Sequence, residues 1–97
     1  MYAVIFSAKL NQLDDAYSEM AARMRELAIN EYGCSSFTSV TECDTEIAVS
    51  YWQTQQQIQA WKNNPEHQQA QALGKAKWYK SYTVQVVEIV REYGSQA

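Results

Sequence analysis

The sequence predicts an α+β domain, a ferredoxin-like βαββαβ chain whose second helix is split. Three observations carry this. Apolar residues alternate at both ends of the chain. Two stretches between them repeat with helical period. One proline, Pro65, interrupts the second of these.

Residues 2–9 alternate, with Tyr2, Val4, Phe6 and Ala8 on one side and Ala3, Ile5 and Ser7 on the other. In "NQLDDAYSEMAARMRELAINEYG" the residues Leu13, Ala16, Tyr17, Met20, Met24, Leu27 and Ala28 recur at helical spacing. Asn11 and Asp14 mark its start, and Gly33 is placed to stop it. "CSSFTSVTEC" and "EIAVSYW" read as two strands joined by a tight turn around Asp44 and Thr45. Thr54 can cap the next helix, with Gln57 reaching back, and Ile58 and Trp61 point inward. Asn64 and Pro65 fit the N-cap and first position of a further helix, predicted to run to about Tyr79 with Ala70, Leu73, Gly74 and Trp78 on one face. "SYTVQVVEIVREY" is the last strand.

Composition narrows the function. Ninety-seven residues make a single domain, 1–97. A formal charge of −3 argues against nucleic acid and anionic membranes as partners. Lys75, Lys77 and Lys80 read as a solvated helix face. No apolar run is long enough to span a bilayer, and the opening "MYAVIFSAKL" has the alternation of a strand without the basic start of a signal peptide. Cys34 and Cys43 stand at the two ends of one predicted strand, ~30 Å apart along extended chain, too far for a disulfide. The expectation is a cytoplasmic protein. With one histidine and no ligand spacing, neither a metal nor another cofactor is expected.

The end strands are apolar on both faces, Val84, Val86 and Val90 on one and Val87 and Ile89 on the other. A sheet with helices on one side only should carry polar residues on its open side. The predicted cover is a second copy, giving a homodimer built as a dimeric α+β barrel.

"SYWQTQQQIQAWKNNPEHQQAQALGKAKWYKSYTVQVVEI" resembles the antibiotic biosynthesis monooxygenase family, most specifically at Trp52, "AWKNNPEH" and "WYKSYTVQVVEI". The resemblance implies the dimeric barrel. It also implies one of several chemistries: cofactor-free oxidation of phenolic polyketides by dioxygen, quinol oxygenation, or haem degradation. Trp52 matches the third-strand tryptophan of the polyketide-oxidising branch. That branch's asparagine four residues earlier is Ala48 here, and its tyrosine six residues later is Ile58. In the haem-degrading branch a first-strand asparagine falls near Ser7 and the helical tryptophan matches Trp61. The ligating histidine's position holds Gln71, with His67 one turn earlier.

The candidate site is a pocket between the sheet and the 54–79 helices. His67, in the first turn of a helix, is the candidate base, because the helix dipole favours its neutral form. Trp52 is the candidate donor that orients substrate through its indole N–H. Ser7, Tyr51, Trp61, Trp78 and Tyr82 are candidate substrate-binding residues, with Tyr79 beside them. The reading is a cofactor-independent monooxygenase acting on a small phenol or quinol. The alternatives are a non-catalytic barrel binding a small aromatic, and a haem-degrading protein.

Overall fold

The computed structural model describes residues 1–96. Four strands, β1 (Tyr2–Leu10), β2 (Ser36–Glu42), β3 (Thr45–Trp52) and β4 (Tyr79–Glu88), form one antiparallel sheet in the order β2-β3-β1-β4. Three α-helices, α1 (Asp15–Glu31), α2 (Gln55–Lys62) and α3 (Pro65–Leu73), complete the βαββαβ plan with its split second helix. The fold class is therefore the predicted one.

The helix starts follow from side-chain chemistry. Asp14 caps α1 by accepting from the backbone N–H of Tyr17, so the helix begins later than Asn11 suggested. Thr54 and Gln57 form the capping box of α2. Asn64 accepts from the N–H of His67, and Pro65 opens α3. The β2–β3 turn falls on Cys43 and Asp44, one residue earlier than predicted, and Cys43 takes a left-handed φ of 55°. Arg23 of α1 grips Glu66 of α3 through two nitrogens, at 3.0 and 3.1 Å, which pins α3 across α1.

Two predicted boundaries move. The second half of the split helix stops being α-helical at Leu73 and continues as one π-helical turn, Gly74–Trp78. The last strand ends at Glu88, and not at Tyr93, because β1 has run out of partners. The final bond of this edge joins the Ile89 N–H to the Met1 carbonyl. Beyond it Val90 and Tyr93 are almost wholly exposed.

Register sorts the side chains. Tyr2, Val4, Phe6 and Ala8 of β1 pair with Trp52, Ser50, Ala48 and Glu46 of β3. The last three of that β1 set pair with Val86, Val84 and Tyr82 of β4, so all share the helix-covered face. The core lies between this face and α1 and α2, where Met24, Leu27, Ala28, Cys34, Ile58 and Trp61 surround Trp52. The opposite face carries Ile5, Ser7, Ile47, Val49, Tyr51 and Val87 and has no helix over it.

Gly74 shows how tightly the π-helical turn is packed. A Cβ built there would overlap the ring of Tyr79. Gly74→Ala should therefore cost about 1–3 kcal/mol through overpacking. A urea titration compared with Gly94→Ala, which meets nothing within 4 Å, isolates this effect.

Candidate functional site

Trp52 is fully shielded from solvent. Its indole N–H donates to Ser50 Oγ at 2.9 Å, two residues back on the same strand face. Ala48 and Ser50 share its strand face. The ring is enclosed by core side chains, and the donor already has a partner.

Trp61 stacks between Trp52 and His67, with ring centroids 6.3 Å from the first and 4.3 Å from the second. Tyr32 packs on the same indole at 5.8 Å and accepts from Asn64 Nδ2 at 2.9 Å. His67 is thus held from two sides, by Trp61 and by the cap that starts its own helix. Its Nδ1 is buried with no hydrogen-bond partner. Burial holds the imidazole below its ordinary pKa. The Lys62 carbonyl pulls the other way without making a full hydrogen bond. The ring is therefore neutral at pH 7 and presents a buried nitrogen.

This has a consequence for stability. A histidine whose folded pKa is lowered binds fewer protons folded than unfolded below about pH 6.5. Its contribution is complete above that pH and is lost as pH falls toward the folded value. Acidification from pH 7 to 5 should lower the melting temperature of the wild type more than that of His67→Gln, as followed by circular dichroism.

The structure does not bring the seven predicted site residues together. Trp52, Trp61 and His67 form one aromatic stack. Ser7 and Tyr51 lie on the opposite face of the sheet, because their register positions alternate with those of Phe6 and Trp52. Ser7 joins Lys9, Thr45, Ser81, Thr83 and Tyr82 around a shallow hollow of about 180 Å³ at the sheet surface. A second hollow lies on Glu31, Tyr32, Gln57 and Ala60. Neither is the pocket expected under the 54–79 helices.

Trp78 and Tyr82 belong to another group. Trp78 is buried edge-on to Tyr17 at 5.2 Å and donates to Asp14. Tyr82 packs against Phe6 and Tyr79 at 5.8 and 5.9 Å. The Tyr17 hydroxyl donates to Oε1 of Glu46, a buried carboxylate. Burial, then the bond to Glu46, pushes the Tyr17 pKa far up, and burial pushes that of Tyr79 up to about 12. Sequence reasoning gave Tyr17 only a place in the periodicity of the first helix and passed over Glu46. The available signal was a charged residue at a position where β3 alternation requires an inward-facing one. Among the described residues no cluster of three or more histidine, cysteine or acidic side chains could hold a metal, and no helix is long and apolar enough to cross a membrane.

A four-stranded antiparallel sheet with a split helical crossover and an aromatic stack between the layers defines a small ferredoxin-like α+β domain. The antibiotic biosynthesis monooxygenase family model matches residues 2–73, and the chain belongs to that family. It is 41% identical over 92 residues to the uncharacterized protein YqjZ of Bacillus subtilis, covering 94% of this chain and 81% of that one. Among solved structures, Rv0793 of Mycobacterium tuberculosis superposes with a TM-score of 0.81 at 14% identity, covering 96% of this chain and 98% of that one. SnoaB of Streptomyces nogalater, described as a cofactor-independent oxygenase, gives 0.80 at 9% identity over 97% of both chains. At such identities these two likenesses speak for the fold.

Proposed function

We propose that this protein is a cofactor-independent monooxygenase that oxidises a small electron-rich phenol or hydroquinone, with His67 as the base. The observation that carries the reading is the His67 Nδ1, buried without a partner against Trp61 in a ring that burial keeps neutral. With Nδ1 buried, a substrate hydroxyl beside α3 would give its proton to the other ring nitrogen, Nε2. The phenolate then supplies its own electrons to dioxygen. For a hydroquinone, one oxygen atom enters the ring and the other leaves as water, giving a hydroxyquinone, so atoms and electrons balance without an external reductant. The protein's share is to exclude water, hold the ring and take the proton.

Oxygen uptake with a panel of hydroquinones is the direct test, with uptake above the non-enzymatic rate as the expected result. The second reading, a barrel that binds a small aromatic without turnover, draws on Trp52, whose N–H is held by Ser50. Binding of the same compounds with no uptake above background would select it.

The working unit we propose is a homodimer closed through the uncovered sheet face. Val40, Ile47 and Tyr51 are 63, 40 and 36% exposed there, an apolar surface that a second copy would shield. Light scattering at low micromolar concentration should give twice the chain mass of 11.1 kDa. A stable monomer would contradict the barrel. The cytoplasm remains the expected compartment, from the separated thiols of Cys34 and Cys43.

A further inference from the structure

α3 is a nine-residue helix with no buried residue. A helix this short is not stable by itself, and it has little apolar burial to hold it in place. Its two ends are fastened by different means. The C-terminal end runs into the π-helical turn, where Gly74 and Trp78 are buried. The N-terminal end is fastened by polar contacts to α1 and to Tyr32, which follows α1. Arg23 meets Glu66 with two nitrogens, Nε at 3.0 Å and Nη2 at 3.1 Å. Asn64 accepts the His67 N–H through Oδ1 and donates to the Tyr32 hydroxyl through Nδ2. Both fasteners fall in the turn that carries His67.

What they hold down is unfavourable by itself. His67 Nδ1 is buried without a hydrogen-bond partner, and a polar atom left so costs free energy that other contacts have to offset. Stacking on Trp61 at 4.3 Å offsets part of it. The rest falls to the fasteners. A two-nitrogen grip on a carboxylate fixes orientation as well as distance, which a single ammonium does not do. The Arg23–Glu66 pair is half exposed, so its worth to overall stability is small. Its effect is local, on the first turn of α3.

We propose that Arg23 is a positioning residue for His67. By gripping Glu66 it keeps the first turn of α3 down on Trp61, and so sets the burial of the imidazole and the direction in which its ring is presented. The part this gives Arg23 in oxidation rests on the monooxygenase reading. The geometry it controls does not, and is measured without substrate.

His67 is the only histidine of the chain, so its imidazole protons can be followed without ambiguity in a pH titration by NMR. The wild-type midpoint should lie below the ordinary histidine value, as burial requires. The titratable and charged groups on the elements around it are Lys62 at the end of α2, Glu66 on α3, Arg23, Glu26 and Glu31 on α1, and Tyr32. Arg23→Ala and Glu66→Ala should both raise the midpoint, because either one releases the turn and lets water reach Nδ1. Charge alone would act with opposite signs, since removing a cation raises an imidazole's pKa and removing an anion lowers it. The double variant should move the midpoint about as far as either single one, because both break the same contact. Both side chains are half exposed, so the substitutions leave the core intact, and circular dichroism checks this. Oxygen uptake should fall about two- to fivefold in each variant, since a half-exposed pair shifts the resting position of the turn only modestly. The proposal is overturned if Glu66→Ala lowers the midpoint or leaves it in place, if Arg23→Ala leaves it in place, or if both variants take up oxygen as fast as an active wild type. A wild type that takes up no oxygen would remove the monooxygenase reading and leave the titration to decide the role of Arg23. Uptake with an unmoved midpoint would overturn that role alone.

Discussion

Trp52→Ala should destabilise the protein by about 3–5 kcal/mol, the usual consequence of deleting a large buried aromatic. The indole is the largest fully buried side chain, and it sits where α1, α2 and β3 meet. A domain of this size has about 5–15 kcal/mol to lose, so a substantial share of its margin would go. Chemical denaturation followed by far-UV circular dichroism measures this directly. Trp52→Phe separates the two roles of the residue. It retains most of the apolar packing and leaves the Ser50 hydroxyl without its donor. The loss should then be smaller, about 1–3 kcal/mol. A Trp52→Ala protein as stable as the wild type would mean that the core is not built around this ring.

His67→Ala should lower the oxygen-uptake rate by about 10²–10⁴ with the fold intact. The residue is only half-buried, and its backbone N–H donates to the Asn64 side chain that caps the helix, a bond alanine preserves. The rate should also follow the protonation of His67, falling as pH drops through a value below 6.5, because burial depresses the imidazole. A variant that unfolds would leave the assay uninformative, so melting curves are recorded alongside. His67→Gln, which fills similar space but does not titrate, serves as the second variant and should lose the rate equally. A rate unchanged in both would remove His67 from the chemistry and leave the binding reading.

The sequence alone determined the order of elements, because each rests on local chemistry. Alternation in residues 2–9 requires a strand. The Thr54–Gln57 box and the Asn64–Pro65 pair require helix starts whatever surrounds them. The apolar character of both sheet faces was legible for the same reason. Family membership was legible too, in Trp52 and the "AWKNNPEH" and "WYKSYTVQVVEI" segments.

Tertiary structure decided what these residues meet. Ser7 and Tyr51 left the predicted site because a strand sends alternate residues to opposite faces, and only the packing of α1 and α2 says which face is covered. The end of β4 depended on the length of β1, a non-local fact. The π-helical turn arose where Gly74 makes way for the Tyr79 ring, a contact between residues five apart that periodicity cannot foresee. Glu46 met Tyr17 across 29 positions of chain, and that pairing gives a buried strand carboxylate its hydrogen-bond donor. Periodicity records which way a side chain points. The partner it finds there is set by the packing of distant segments.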